Sequence, residues 1–569
     1  MERVWLKHYE AGVPAEIDPQ AYPSLSAVFE QSCSRFAERD AFHNMGAALS
    51  YRAFDRYARD FAAYLQQELG LRKGDRVALM MPNVMQYPVA LFGVLRAGLV
   101  AVNVNPLYTH RELAHQLADA RPRAIVVVEN FCHTLQAAQR EAAVEHVIVT
   151  GLGDMLGGPK GLFVNLAVRY LKKMVPAWSI PSAVRWKKVI AAGAAHRLDA
   201  PELGHDDLAF LQYTGGTTGL AKGAMLTHGN MVANLEQISA WLRREEGSEV
   251  VITPLPLYHI FSLTANLLTF VKHGGTNVLV TNPRDIPGFV KTLAREPFTA
   301  MTGVNTLFNA LVNNEAFRKL RFPSFNLAVG GGMAVQRSVA ERWQRVTGTV
   351  LIQGYGLTET SPVVCANPLN ARTFSGTIGV PVPSTDVSIR DDAGDVLGFD
   401  QPGELCVRGP QVMKGYWEKP QETKEVFFEG GWLRTGDIAQ MDSEGWVKIV
   451  DRKKDMIVVS GFKVFPNEVE EVAVAYEGVL EAACVGVPDE ESGEVPRLYV
   501  VARPGAKLDI EGLERHLRQE LTGYKVPKRI ETRAELPKTN VGKILRRQLR
   551  DDDADVDVSS SANPRASTE

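Results

Sequence analysis

Arg76-Val-Ala-Leu-Met-Met81, Val100-Ala-Val-Asn-Val104 and Ala124-Ile-Val-Val-Val128 are short, mostly apolar runs separated by longer segments whose apolar residues recur with a helical period. Runs of this kind suit strands covered on both faces, so the spacing predicts a βαβαβ unit in a parallel sheet flanked by helices. The helix expected from Arg111 carries a capping box, Thr109-x-x-Glu112, in which each side chain can satisfy an amide left over at the helix start. The alternation resumes from Leu208 to about Leu351, so the first three quarters of the chain read as a large α/β body. From Thr377 to Gly445, short strands between Gly, Pro and Asp turns predict a small β subdomain, placed at about 377–450 within an N-terminal domain of 1–451. After a boundary at Arg452-Lys453-Lys454, residues 455–550 show a compact α+β pattern. Its expected elements are a helix near Asn467 to Tyr476, strands at Glu481 to Val487 and Arg497 to Val501, and a helix near Ile510 to Leu521. The tail 551–569 is acidic and then Ser-rich, too polar to fold alone.

At 569 residues the chain exceeds a single core, and ~150 residues per domain implies roughly three to four domains or subdomains. Lys plus Arg (63) against Asp plus Glu (66) gives a net charge of −3, which offers no electrostatic case for a nucleic-acid partner. The cysteines, Cys33, Cys132, Cys365, Cys406 and Cys484, are odd in number and show neither CxxC nor metal-like spacing, as expected in a reducing compartment. The N-terminus lacks the apolar stretch of a signal peptide, and the longest apolar run, Pro88 to Val104, is interrupted by Arg96 and falls short of the ~18 residues a span needs. A cytoplasmic protein is expected.

The most specific segment is Leu211-Gln-Tyr-Thr-Gly-Gly-Thr-Thr-Gly-Leu-Ala-Lys-Gly223, a predicted strand running into a loop of glycines, hydroxyls and one lysine. Glycines let backbone amides approach phosphate oxygens, and Thr217, Thr218 and Lys222 add side-chain donors, so the loop reads as a phosphate cradle. It is not a Walker A loop: with Lys222 on that motif's lysine, Ala221 stands where glycine is required and Gly223 where Ser or Thr is needed for magnesium.

This loop resembles the phosphate-binding signature of the adenylate-forming enzymes, the superfamily of acyl-CoA synthetases, luciferases and peptide-synthetase adenylation domains. Further matches follow in order: Gly330-Gly-Gly332, Gln353-Gly-Tyr-Gly-Leu-Thr-Glu-Thr360, Gly431-Trp-Leu-Arg-Thr-Gly-Asp437, Asp451-Arg-Lys-Lys-Asp455 and Pro537-Lys-Thr-Asn-Val-Gly-Lys543. Asn103-Val-Asn-Pro-Leu-Tyr, Thr302-Gly-Val-Asn-Thr-Leu-Phe-Asn and the run from Gly431 to Gly461 are most similar to the bacterial long-chain fatty-acid–CoA ligases. The resemblance implies a large adenylate-forming domain of two βα subdomains plus the β subdomain, and a small mobile C-terminal domain hinged at 452–454. It also implies a two-step reaction. The fatty carboxylate attacks the α-phosphate of ATP to give acyl-AMP and pyrophosphate, and the CoA thiol then displaces AMP.

The resemblance assigns roles residue by residue. Thr214, Gly215, Gly216, Thr217, Thr218, Gly219 and Lys222 would hold the β- and γ-phosphates, with Thr217 and Glu359 as ligands of Mg2+ and Thr358 near the phosphates. Lys543 would be the adenylation lysine, bridging the carboxylate and α-phosphate oxygens. Asp437 suits the ribose hydroxyls, with Arg452 as a second ribose or phosphate contact. Gly330, Gly331 and Gly332 on one side and Gly354 and Tyr355 on the other would sandwich adenine. Lys454 takes the hinge position, and Asp455 to Lys463, including Gly461 and Lys463, would line the thiol path. Aryl- and luciferin-type relatives have a lysine where this chain has Val458, so no role is carried over there. In Pro256-Leu-Tyr-His-Ile-Phe261, His259 and Phe261 match residues that gate the acyl site, and Val304 joins them. No aspartate stands between Pro254 and Ser262 to meet an amino-acid ammonium.

Between Asp154 and Asp199 there is no acidic residue, while Lys160, Arg169, Lys172, Lys173, Arg185, Lys187, Lys188 and Arg197 are basic. A helix there would set Leu162, Leu166, Tyr170 and Met174 beside Phe163, Leu171 and Val175, opposite Asn165, Arg169, Lys172 and Lys173. That pattern fits peripheral contact with the cytoplasmic face of an anionic inner membrane, and equally a helix packed on the protein's own body. A homodimer is compatible with the sequence and not required by it. Rival readings are a medium-chain or aryl acid–CoA ligase with the same activation machinery, and a non-catalytic fatty-acid binder on the same fold. A ligase that stops at acyl-AMP would carry an insertion restraining its mobile domain, and only a short stretch separates Asp437 from Arg452. GxSxG and HExxH, the marks of common hydrolases, are absent, and the C-terminal Ser-Thr-Glu is no peroxisomal signal.

Overall fold

The computed structural model describes residues 2–214, 221–489, 491–539 and 542–551. Arg76–Met80, Val100–Asn103 and Ala124–Val128 are neighbouring parallel strands with Arg76–Met80 in the middle, joined by the helices Gln86–Arg96 and His110–Ala120. The capping box at the second helix is made: Thr109 Oγ1 accepts from the Glu112 amide at 3.3 Å, and the Glu112 carboxylate accepts from the Thr109 amide at 2.8 Å. Gln86–Arg96 is buried until its last residue, which explains the apolar reading of that stretch; Arg96 pairs with Asp55 at 2.9 Å and Glu30 at 3.1 Å. Among the described residues no helix is long and apolar enough to cross a membrane.

These strands lie in an eight-stranded sheet ordered Gly415–Tyr416, Lys222–Thr227, Leu208–Thr214, Val100–Asn103, Arg76–Met80, Ala124–Val128, His146–Thr150, Val184–Arg185. A nine-stranded sheet is parallel from Leu351–Gly356 through Leu327–Gly330, Ala300–Gly303, Val250–Thr253 and Thr276–Leu279 to Asp40–Asn44, with antiparallel additions at both edges. The helices Leu25–Arg35, Tyr51–Gln67 and Gln86–Arg96 bury Phe29, Phe54, Phe61 and Phe92 in one core. Phe29 stacks on Phe92 at 4.3 Å between ring centroids, and Phe54 meets both edge-on.

The small β sheet contains Asp386–Arg390, Gly403–Arg408, Trp432–Met441, Phe427–Phe428 and Val447–Arg452. Two pieces of the stretch read as that subdomain belong elsewhere. Val380–Pro381 pairs with Val363–Ala366 at the edge of the nine-stranded sheet, where a proline's missing donor costs least, and Gly415–Tyr416 pairs with Lys222–Thr227. In the C-terminal region, helices Pro466–Ala475 and Ile510–Glu520 pack Val469, Ala473, Leu513 and Leu517 on a sheet built around Val479–Asp489 and Gly493–Ala502. The basic stretch also differs from its expected form. The α-helix covers only Gly158–Leu166, a π turn follows over Ala167–Leu171, and Lys173 at φ +51° ends the run, leaving Met174 and Val175 outside the helix. The cysteines are buried and free, and the tail from 552 lies outside the described residues.

The helix Trp186–Gly193 lies against Tyr51–Gln67 so closely that a Cβ on Gly193 would stand 1.8 Å from the Asp60 carbonyl oxygen. Gly193→Ala is expected to force the helices apart, at a cost of ~1–3 kcal/mol. Thermal unfolding should show the first transition lowered by a few degrees; an unchanged transition would contradict this packing.

Candidate active site

Both large sheets point the carboxyl ends of their strands at one cavity of about 2280 Å³. Thr214 ends one strand there, and the loops after Thr253, Gly330 and Gly356 bring in His259, Gly332 and the pair Thr358–Glu359. Binding sites of open α/β sheets form at such ends because the loops diverge and leave a crevice. The small sheet adds Asp437 and Arg452, cross-strand partners in register, and the C-terminal domain adds Lys543.

Asp437 is held from two sides: the Tyr355 hydroxyl donates to Oδ2 at 2.6 Å, and Arg452 Nε stands 3.4 Å from Oδ1. Burial, and then the neighbouring Asp437, keep Tyr355 protonated. Of the three glycines read as an adenine shelf, Gly332 lines the cavity, whereas a Cβ on Gly330 would turn toward Val335 Cγ2 at 2.6 Å. A Cβ on Gly331 would stand 2.9 Å from the Gly354 carbonyl oxygen and 3.1 Å from the Phe261 ring, so a side chain there would crowd both.

Lys543 crosses from the C-terminal domain into this body, its amide held by Thr539 Oγ1 at 3.0 Å, while Thr306 Oγ1 donates to the Gly542 carbonyl at 3.1 Å. Burial pushes the Lys543 ammonium down to about 8, reinforced by Arg452 and opposed by Asp437 and Glu359. Lys454 is pushed down to about 8 for the same first reason, and its Nζ is buried without a hydrogen-bond partner among the described residues. Glu359 is buried, which raises its carboxyl, and Oε1 accepts from the Tyr416 hydroxyl at 2.8 Å. Lys222 is the register partner of Thr214, and its Nζ lies 5.2 Å from the centre of the Tyr416 ring. Gly215, Gly216, Thr217, Thr218 and Gly219 lie outside the described residues.

His259 is neutral: burial pushes it down to about 3, and Nδ1 accepts from the Phe261 amide at 3.3 Å. Val304 meets His259, Phe261 and Lys543 at a small side recess. The loop bearing His259 is clamped from the eight-stranded sheet's side. Asn83 Nδ2 donates to the carbonyls of Thr253 (2.9 Å) and Leu255 (2.8 Å), and Oδ1 accepts from the Leu257 amide at 2.8 Å. The Tyr87 hydroxyl donates to the Leu257 carbonyl at 2.9 Å, and Gln212 Nε2 to that of Tyr258 at 2.8 Å. Part of the cavity wall is apolar, with Ile238, Trp241, Leu242, Phe270, Leu327 and Ile352, as an alkyl chain requires.

Gly461 and Lys463 are not brought to the cavity: they lie on the exposed hairpin Ile457–Val464, on the outside of the C-terminal domain. Two contributors escaped the sequence reading, Asn83 and Tyr416. Both act through partners far along the chain, 174 residues away for Leu257 and 57 for Glu359, so no local pattern marks them.

Family comparison agrees with this layout. Residues 29–417 match the AMP-binding enzyme family and residues 468–543 the AMP-binding enzyme C-terminal domain. The long-chain-fatty-acid–CoA ligase of Yersinia pestis is 57% identical over 564 residues, 99% of this chain and 100% of that one. That of Haemophilus influenzae is 51% identical, over 97% of this chain and 99% of the relative. Among solved structures, ATP-bound MatB from Rhodopseudomonas palustris superposes with a TM-score of 0.80 at 27% identity, covering 93% of this chain and 99% of that one.

Asn83→Ala would leave two buried carbonyls without that donor and one amide without its acceptor, each a loss of ~1–3 kcal/mol if unpaired. Hydrogen exchange is expected to quicken by at least ~10-fold at the Leu257 amide, with the strand Arg76–Met80 unaffected. Unchanged exchange at Leu257 would show that Asn83 does not hold the loop.

Proposed function

Because the chain belongs to the AMP-binding enzyme family and is an ATP-dependent, AMP-forming long-chain-fatty-acid–CoA ligase, we propose that the single cavity serves both half-reactions, with the C-terminal domain changing pose between them. The observation that carries this reading is the half-buried Lys543 ammonium, delivered by one domain into a cavity walled by the other, beside Arg452, Asp437 and Glu359. A carboxylate resists nucleophiles because it is negative and would have to expel oxide. In the first half-reaction its oxygen bonds to the α-phosphorus of ATP as the bond to pyrophosphate breaks. Lys543 lies across the carboxylate and α-phosphate oxygens and offsets the charge that gathers there, so that catalysis is positioning plus electrostatics. Asp437 accepts from the ribose hydroxyls, with Arg452 beside it; Tyr355 and Gly332 flank the base. Lys222 and Thr214, with the loop between them, take the outer phosphates. Lys454 stands at the hinge, its Nζ without a hydrogen-bond partner among the described residues.

Mg2+ fits the donor set, since this ion is commonly bound by one or two carboxylates together with substrate phosphates, and Glu359 offers a cavity-lining carboxylate whose Oε1 accepts from the Tyr416 hydroxyl. When bound, the ion draws charge from the polyphosphate. His259 and Phe261 share a recess with Lys543 and also line the cavity that the apolar wall borders, which suits a gate for the acyl chain.

In the second half-reaction the CoA sulfur bonds to the acyl carbon and the bond to AMP breaks. Lys543 must leave, and rotation about Lys454 would exchange it for the hairpin carrying Gly461 and Lys463. Among the described residues the polar contacts holding the first pose are Thr306 to the Gly542 carbonyl at 3.1 Å, Asn309 to the Leu480 carbonyl at 3.1 Å, the Asn467 amide to Asp451 Oδ2 at 2.8 Å and its side chain to the Val450 carbonyl at 3.3 Å, and the Arg546–Asp451 ion pair at 3.5 Å. At ~1 kcal/mol each, the hydrogen bonds can be exchanged during turnover.

The basic segment supports membrane docking over packing on the protein's own body. Leu162, Phe163, Tyr170 and Leu171 are 60%, 67%, 66% and 76% exposed, an apolar face left uncovered by the described residues. Lys172, Lys173, Lys187 and Lys188 are exposed nearby, whereas Arg169 and Arg185 both pair with Glu129 and are not free for lipid phosphates. Insertion of the apolar face with the lysines at the headgroups would place the enzyme where its substrate partitions.

Lys543→Ala is expected to slow acyl-AMP formation by at least ~100-fold while thioester formation from supplied acyl-AMP persists. Lys454→Pro should do the reverse. In the wild type, kcat/KM for the first half-reaction should fall as pH rises through about 8, because the free ammonium is lost there. Equal loss of both half-reactions in both variants would contradict the two-pose reading. For the membrane, co-sedimentation with anionic vesicles should drop by ~10-fold or more on charge reversal of Lys172, Lys173, Lys187 and Lys188, and likewise in Phe163→Ser/Leu171→Ser. Undiminished binding by both would end that reading.

A further inference from the structure

The segment Gln411-Val-Met-Lys-Gly-Tyr-Trp417 is a strap between two parts of the cavity wall. Its Met413 amide donates to the Glu359 carbonyl at 2.8 Å, while the Lys414 amide donates to Met225 at 3.0 Å and the Trp417 amide to Gly223 at 2.8 Å. Gly415 and Tyr416 pair with Met225 and Ala224. The turn that bears Glu359 is thereby tied to the strand that starts at Lys222. At the middle of the strap Tyr416 touches both side chains: its hydroxyl donates to Glu359 Oε1 at 2.8 Å, and its ring lies 5.2 Å from Lys222 Nζ. The phenol is itself fixed. The Tyr416 amide donates to Thr423 Oγ1 at 2.9 Å, and Gly415, at φ +144°, passes so close to Thr423 that a Cβ would stand 2.7 Å from its Cγ2.

If Tyr416 only filled space, phenylalanine would do as well. Its hydroxyl instead donates to a half-buried carboxylate that faces the cavity, and its ring face is turned to an ammonium on the same wall. Engaging Oε1 leaves Oε2 directed elsewhere, and the ring's negative face orients the cation without neutralising it. We propose that Tyr416 is a positioning residue for the first half-reaction, setting Glu359 with its hydroxyl for the metal and Lys222 with its ring for the outer phosphates. The inference rests on the reading of Glu359 as the metal carboxylate.

The test uses the full chain with Mn2+ as probe, its binding read by electron paramagnetic resonance in the presence of α,β-methylene-ATP, and pyrophosphate exchange as a second readout. Tyr416→Phe keeps the ring and should weaken Mn2+ binding by ~10-fold, leave metal-free affinity for the nucleotide analogue within ~2-fold, and leave the KM for palmitate unchanged. Tyr416→Ala, which also removes the ring, should weaken the analogue itself by ~5-fold or more. In a Glu359→Gln background Tyr416→Phe should add nothing further, as two residues acting through one contact require. Glu359→Gln losing Mn2+ while Tyr416→Phe keeps wild-type affinity would overturn the proposal and spare the metal reading. Unaltered Mn2+ binding in Glu359→Gln would overturn the metal reading, and the proposal with it. A loss in Tyr416→Phe that also raises the palmitate KM in proportion would mark a merely structural role and overturn it as well.

Discussion

The account depends on one ammonium turned into the cavity. Lys543 belongs to the small domain yet lines the cavity of the large one, and desolvation pushes it down to about 8, well below an ordinary lysine. A cation in that position is costly unless an anion arrives, and the neighbouring carboxylates of Asp437 and Glu359 only partly compensate. Lys454 at the hinge, half-buried, has an Nζ without a hydrogen-bond partner among the described residues. The cavity thus presents cations that suit phosphate and carboxylate.

Everything around the lysine serves placement. Two parallel arrays aim their strand ends at one point, and the loops there are held by buried amide side chains, as Asn83 holds the segment before His259. Tyr355 and Arg452 hold the Asp437 carboxylate in place at the cavity. Such preset polar groups need little reorganisation when charge develops, which is where enzymes of this chemistry gain most. The two domains meet by contrast through single hydrogen bonds at Thr306 and Asn309 and through the contacts of Asn467 and Arg546 with the Val450–Asp451 segment.

The parallel core was legible from its apolar runs, because strands buried on both faces leave a signature no surface element shares. The motifs carried the site almost as far: Thr214, Lys222, Gly332, Tyr355, Thr358, Glu359, Asp437, Arg452 and Lys543 gather in one cavity although they are spread over more than half the chain. Long-range pairing was not legible. Nothing in Gly415-Tyr416 says that it joins a strand begun at Lys222, and nothing in the proline-rich run Gly379-Val-Pro-Val-Pro383 separates Val380–Pro381 from the small sheet. The helix near Leu162 was readable as amphipathic, but only the fold shows its apolar side uncovered and two of its segment's arginines already paired with Glu129.

The most direct measurement of the central claim is the distance between the two domains at each stage. Spin labels on cysteines placed at exposed Lys319 and Lys507 would report it, and the native cysteines are buried. With ATP alone the distance should form one narrow distribution matching the pose with Lys543 in the cavity. With a non-hydrolysable acyl-AMP analogue and CoA a second, distinct distribution should replace it. One unchanged distribution under both conditions would contradict the account, since a single fixed pose cannot both present Lys543 to the phosphate and withdraw it for sulfur.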